Sequence, residues 1–406
     1  MTLPATAGGA PMSLEFSSEA EETNYLTGGL NFTTAYDDNM LSNNADRQGD
    51  VSFMVAPFIS LKLARPRTGL TLAYAPGFTF YRRFNDHDEN DQNLNINFDY
   101  RLTQHATLQL NDTFLKTSAF FGQFTNGLGQ PGSGGTQSVI PPLADRIANN
   151  ASAGLTLQTG PNSMIGFRGT SYELRFPSIN TNVTGLSDTH SQGAEAFYTL
   201  RISGQHWISA NYRFQRIGID TNDGRTLTHS ALLAYTYSPR HSLSFSLFGG
   251  PQYSSISGQS LTPLHAWSPT AGAGFGWQGL HTSFNANFSR QVSDGGGLAA
   301  TLQATGGDAS FRWQWAKSWT MGVGGSYTSN RVLDPSANAA GNGHTLLGYA
   351  SINHEIGRHL EVSVSYTRAQ QRWFNSAPGT NFVTNPVDRN RPQISISYNF
   401  SRPLGR

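Results

Sequence analysis

The side chains best suited to proton transfer or metal binding near neutral pH are the 11 histidines, and they are scattered along the chain. His105, His206, His241, His281 and His359 lie beside turn-forming residues, where an imidazole is normally solvated. Nucleophilic catalysis needs a hydroxyl or thiol within hydrogen-bond reach of a base, and no serine here stands in a nucleophile-elbow sequence. Cysteine is absent, which removes disulfides, thiolate metal ligands and thiol nucleophiles together. The acidic run at 85–92, with Asp86, Asp88, Glu89 and Asp91, offers oxygen ligands for Ca²⁺. It lacks the glycine and the glutamate that an EF-hand loop needs at its sixth and twelfth positions, and reads as a solvated loop. Gly272, Gly274 and Gly276 imitate part of a dinucleotide fingerprint, but they alternate with Ala273, Phe275 and Trp277 and no helix follows. The expectation is no enzyme, no cofactor and no metal site.

Composition narrows the class. Charged residues make up 13% of the chain against a usual quarter, while glycine (43 residues) and aromatics (12%) are abundant. A net charge of +1 gives no general attraction for nucleic acid, so no nucleic-acid partner is expected. The longest apolar candidate, 51–64, is broken by Ser52, Pro57, Ser60 and Lys62, which excludes a transmembrane helix. Mean hydropathy is slightly negative, as a barrel allows because only every second residue meets lipid. Residues 1–23 have neither the basic start nor the apolar core of a secretory signal.

From about residue 26 to residue 400 one event repeats: roughly ten residues of alternating polarity, a turn, then another such stretch. In 93–102, Leu94, Ile96, Phe98, Tyr100 and Leu102 share one side, and Asn93, Asn95, Asn97, Asp99 and Arg101 the other. A period of two makes a strand with one greasy and one wet face. Ser242–Ser246 against Leu243–Leu247, and Gln393–Asn399 against Ile394–Phe400, read the same way. Two strands alternate poorly, at 164–176 and 344–352. Asp112 falls on the apolar phase of its strand, and Pro57 and Pro76 interrupt theirs while standing opposite one another. Either they mark a bulge or, as expected here, their missing N–H groups face other strands.

Connections alternate in length. Eight are tight, near 65–68, 103–105, 159–162, 203–205, 238–240, 278–280, 316–318 and 356–358. Nine are long and rich in Gly, Asn, Asp, Ser and Pro, near 37–49, 82–92, 117–149, 177–191, 218–226, 254–268, 290–297, 329–343 and 373–388. Seventeen connections join about 18 strands, an even number, as in single-chain bacterial barrels. The fold class is therefore all-β: a single closed antiparallel transmembrane β-barrel with short periplasmic turns and long extracellular loops. Residues 1–25 form a periplasmic N-terminal extension, 26–400 the barrel and 401–406 a C-terminal tail. The localisation is the bacterial outer membrane, with a signal peptide not present in this sequence.

Ten residues at ~3.3 Å each, tilted by ~45°, span roughly the 25 Å apolar band. Near the tight turns Tyr100, Tyr237, Trp277, Trp315, Trp319, Tyr398 and Phe400 form one aromatic girdle. The inward phase is mostly Ser, Thr, Asn, Gln and Gly, with charges at Asp99, Arg101, Glu195, Arg201, Arg213, Asp308, Arg312 and Glu361. A wall of neutral hydrogen-bonding groups without a ring of one charge suits small hydrophilic, uncharged solutes.

These features resemble the outer-membrane porin superfamily, and within it the β-barrel porins of Gram-negative bacteria, some associated with exopolysaccharide export. The strand at 393–400, with Tyr398 and Phe400 in aromatic positions, resembles the signal read by the barrel-assembly machinery, although Ser401–Arg406 follow it. By similarity to general porins, the longest loop, 117–149, is the candidate constriction, carrying Phe120, Phe121, Phe124, Asp145 and Arg146; the alternative is a disordered outer loop. The resemblance implies outer-membrane lipid and lipopolysaccharide as surroundings, and a homotrimer as a common assembly. Passive passage of solutes is the leading function. The alternatives are a conduit for polysaccharide secretion with periplasmic export components, and a non-conducting structural or adhesive barrel.

Overall fold

The computed structural model describes residues 24–118, 140, 144–177, 186–220, 223–240, 242–258, 261–298, 300–333, 342–373 and 386–404. In an extended strand the N–H and C=O groups of successive residues point to opposite neighbours, and the chain resolves this as one continuous sheet. Its strands are β1 Asn24–Asp37, β2 Asp50–Arg65, β3 Thr68–Tyr81, β4 Glu89–Arg101, β5 Ala106–Thr117 and β6 Arg146–Gly160. There follow β7 Ser163–Arg175, β8 Thr189–Ser203, β9 His206–Ile219, β10 Gly224–Arg240, β11 Leu243–Gly258 and β12 Leu261–Gln278. The last six are β13 Thr282–Ser293, β14 Leu302–Ala316, β15 Trp319–Val332, β16 Gly343–Ile356, β17 Leu360–Trp373 and β18 Val387–Leu404.

Each strand pairs antiparallel with the next, and β18 returns to β1, so the 18-stranded sheet has no free edge. Closure satisfies every strand from both sides, the condition for crossing a hydrocarbon layer. The closing pair runs from Asn24↔Leu404 to Ala35↔Gln393, so β18 continues four residues beyond Phe400.

Large apolar side chains such as Leu30, Phe32, Ile59, Phe80, Leu247, Val364 and Ile396 are exposed on one phase of the wall. The other phase holds the buried Thr33, Thr199, Ser209, Thr228, Asn330 and Gln371. Contacts between non-adjacent strands occur on this second phase, which makes it the interior.

Three local points refine the sequence expectations. Register is unchanged from Val55↔Phe78 to Ile59↔Tyr74, so Pro57 and Pro76 cause no bulge. Pairing lapses across the three positions between those pairs. That gap is where two opposed donors would bond, so the missing N–H groups face each other and not other strands. Asp112 stays on the outward phase without a register shift, and Asn149 Nδ2 donates to it at 3.0 Å.

The long connection expected over 254–268 is instead a hairpin extension, with β11 and β12 paired as far as Gly258↔Leu261. Tyr253 packs against His265 and Trp267 on one face while Ile256 is buried on the other, so the period of two continues past the apolar band. Meanwhile β12 parts from β13 above Ala271↔Arg290. The two poorly alternating segments form full strands, β7 and β16.

Candidate functional site

The interior at the loop end is crossed by apolar cores built from residues far apart in the ring of strands. In the first, Ala144 and Leu186 from loops meet Leu174 of β7, Leu298 and Ala300 from the loop after β13, and Leu302 of β14. Val332 of β15 and Trp373 of β17 pack against its edge. Only the inside of a closed barrel lets β7, β14 and β17 share one cluster.

The loops are held to one another as well as to the wall. Leu186 and Leu298 form an isolated antiparallel bridge, and the Ser187 N–H donates to the Gly297 carbonyl at 2.7 Å. Gly295, Gly296 and Gly297 have φ of 76°, 63° and 100°, a left-handed run that side chains disfavour and glycine allows. The Phe176 ring occupies the space where a Gly297 side chain would stand. Thr226 and Thr301 hydroxyls meet at 2.8 Å, tying the same loop to β10.

A second core holds Ile140, from the connection between β5 and β6. Ile140, 1% exposed, packs against Ala369 of β17 and Val387 of β18, and its N–H donates to Gln371 Oε1 at 2.6 Å. A residue between β5 and β6 thus reaches a third of the way around the wall. Beside it lies a buried polar network. Asp37 pairs with Arg389 at 2.5 Å, Arg389 also donates to Ser42 at 3.0 Å, and Tyr81 donates to Glu89 at 2.9 Å.

Of the constriction candidates, Phe120, Phe121 and Phe124 lie outside the described residues. Arg146 opens β6 and is buried, and Asp145 accepts from Ser118 at 2.5 Å. Of the charged candidates, Glu195 and Arg213 stand opposite each other at 3.6 Å. Arg201 lies over the Trp207 ring at 5.8 Å, and Asp308 accepts from Asn287 at 3.1 Å. Asp99 faces Gln109, Arg101 faces Thr107, and Arg312 faces Ser283 and Gly322. Glu361 stands opposite Glu355 on β16. All eight share the phase of the cross-barrel contacts, but they are dispersed around the ring and not gathered into one cluster.

Sequence reading missed Arg168, Glu355, Asp37, Arg389 and Arg391, and it placed Glu89 in a solvated loop although Glu89 is buried and opens β4. Arg168 faces Glu195 from the side opposite Arg213, placing one carboxylate between two guanidinium groups. Its strand alternates poorly, so its phase was not readable. The others lie near strand ends, where the pattern merges into loops.

The girdle residues occupy the outward phase. Trp315 packs on Trp319 at 5.8 Å, Trp319 stacks on His354 at 4.1 Å, and Tyr237 stacks on His206 at 4.6 Å. Tyr398 lies 5.9 Å from His359, and Tyr100 stacks on Phe98. Trp277 faces Leu243, and Phe400 covers Gly28. Turn-side histidines therefore serve as ring partners in the belt.

A closed antiparallel barrel with an apolar outer phase, a polar inner phase and a turn-side aromatic belt is a transmembrane barrel of the bacterial outer-membrane kind. No protein-family description and no curated protein matches the chain. Among solved structures it is similar to Pseudomonas aeruginosa OccK2 (OpdF) in complex with glucuronate: 9% identity, 93% of this chain and 98% of that one, TM-score 0.47. It is also similar to Pseudomonas aeruginosa OpdO, at 12% identity over 94% and 98% of the chains with TM-score 0.46. The FrpB iron transporter of Neisseria meningitidis matches at 9% identity over 94% and 82%, with TM-score 0.45.

Proposed function

We propose that this barrel is an outer-membrane channel for small hydrophilic, uncharged solutes, narrowed at its loop end by inward-folded connections. The observation that carries the reading is the Ile140–Gln371 bond within a wall of Ser, Thr, Asn and Gln. A neutral hydrogen-bonding wall replaces the hydration of sugars and similar solutes without trapping ions. The charges at Asp99, Arg101, Glu195, Arg201, Arg213, Asp308, Arg312 and Glu361 line the path as local pairs and single sites, not as a ring.

Outer-membrane lipid surrounds the barrel, and the barrel-assembly machinery inserts it. A polysaccharide conduit would require a broad, unobstructed mouth, and two apolar cores crossing the interior disfavour that use. The same cores suit a barrel that rests closed. Single-channel recording in planar bilayers tests the proposal. Discrete open events, with neutral sugars entering proteoliposomes, support it; a folded barrel that never opens assigns the protein to the non-conducting class.

A further inference from the structure

The outer face of β8–β11 carries a feature that solute passage does not use. Ala196, Ala210, Ala231 and Gly249, on four adjacent strands, form the floor of a groove of about 640 Å³. Tyr198, Tyr212, Leu233 and Pro251 wall it, all on the outward phase. The four small residues leave a dent in the lipid-facing wall between these larger side chains.

Directly above it the belt becomes a ladder of rings across β9–β12. Tyr212 bonds His229 at 2.8 Å, Phe214 and Tyr253 flank His229 at 5.2 and 6.5 Å, and Tyr253 bonds His265 at 3.0 Å. Trp267 closes the ladder at 5.2 Å from Tyr253 and is 73% exposed.

Above the ladder stand two cations. Arg216 faces Leu227, and Arg225 faces Gly218, which sets the guanidinium groups on neighbouring strands and diagonal to one another. Arg216 Nε is buried without a hydrogen-bond partner. On the same face, His190 Nδ1 lies 3.5 Å from an Asp220 carboxylate oxygen. Four residues separate Tyr212 from Arg216, roughly 13 Å along a strand. Apolar dent, amphipathic belt and paired cations thus follow in the order of acyl chain, interface and phosphate in a membrane lipid.

We infer that this face is a binding site for one phosphorylated lipid of the outer leaflet, with an acyl chain in the groove and a phosphate between Arg216 and Arg225. A second copy of the chain fits less well, because protomers meeting here would bring the same uncompensated arginines together.

The test uses the full barrel in neutral detergent and a bisphosphorylated lipid A as probe, read by native mass spectrometry. Wild type should retain the probe as a single stoichiometric adduct. R216Q/R225Q should bind on the order of tenfold or more weakly. A231W, which fills the groove and leaves the arginines, should lose the adduct as well. Dephosphorylated lipid A should bind like the double variant, and inorganic phosphate should not displace the adduct. Each variant is first checked for the heat-dependent gel shift of a folded barrel. For any variant that fails it, R216K/R225K and A231L serve instead, with weakened and lost adducts expected respectively. Equal retention by the folded variants, indifference to the lipid's phosphates, displacement by inorganic phosphate, or A231C disulfide-linked dimers in intact membranes would overturn the assignment.

Discussion

The N–H of Ile140 and the side-chain oxygen of Gln371 are joined at 2.6 Å although 231 residues separate them. One lies in the connection between β5 and β6, the other on the interior face of β17 with no exposed surface. A buried amide that lost this acceptor would remain without water, so the bond and the apolar contacts around it reinforce each other. The pair holds residue 140 against the interior face of β17.

Replacing Gln371 with leucine should release that hold. Leaving the Ile140 amide unsatisfied costs about 1–3 kcal/mol, enough to shift a docked-to-undocked ratio by on the order of tenfold or more. The expected result is a higher mean conductance or more frequent transitions to a large open level, with the barrel's melting behaviour little changed. An unaltered conductance histogram would reject residue 140 as part of the constriction.

Leu186 and Leu298 offer an independent handle on the other core. Both are almost fully buried, and their bridge holds two loops that originate six strands apart. Truncating either to alanine should remove about 2–5 kcal/mol of packing from the cluster. Proteolysis should then cut near residues 177–186 or 294–301 faster than in wild type. The double variant should add less than the sum of the singles, because the residues share one cavity. Strict additivity would mean that the loops dock separately.

The strand count and the two phases were legible because a period of two is a local property of the chain. Leu94, Ile96 and Phe98 declare their face without reference to any other strand. Ile140, Leu186 and Leu298 could not be assigned, since loop residues have no period and their partners are brought near only by closing the ring. Arg168 escaped for a related reason: Gly166, Gly169 and Thr170 dilute the alternation around it. The hairpin above Pro251↔Pro269 was hidden by its composition, because Gly, Ser and Pro there read as a loop. What packs locally could be read; what depends on the closed cylinder could not.

Glu195 holds a different position, between Arg168 and Arg213 in register. Replacing it with glutamine leaves two guanidinium groups on the interior wall with no carboxylate between them. Their field should favour anions near that point, and the reversal potential under a salt gradient should move toward the anion value. The shift should be largest at low ionic strength, where screening is weak. Arg213→Gln should move it the opposite way. No change in either variant would place this trio off the conduction path.

The buried Asp294 should make the docking of its loop depend on pH. It accepts from the Gly296 N–H at 3.2 Å and from Ser293 at 3.4 Å, and burial pushes its carboxyl above the ordinary range despite those bonds. Tyr172 is the titratable group facing it, with Arg146 beyond. A group whose value is raised in the docked loop favours docking in its protonated form. That stabilisation is complete below the ordinary aspartate value of ~3.9 and is lost as pH rises through the raised value. Acidification from neutral pH should therefore lower open probability, with the change starting above pH ~4. Asp294→Asn keeps the acceptor and removes the charge, so it should show the low-pH behaviour at every pH. Recording open probability from pH 4 to 8 for both proteins decides the matter. Opening on acidification in the wild type, or a variant that keeps the wild-type profile, would show that this carboxyl does not govern the loop.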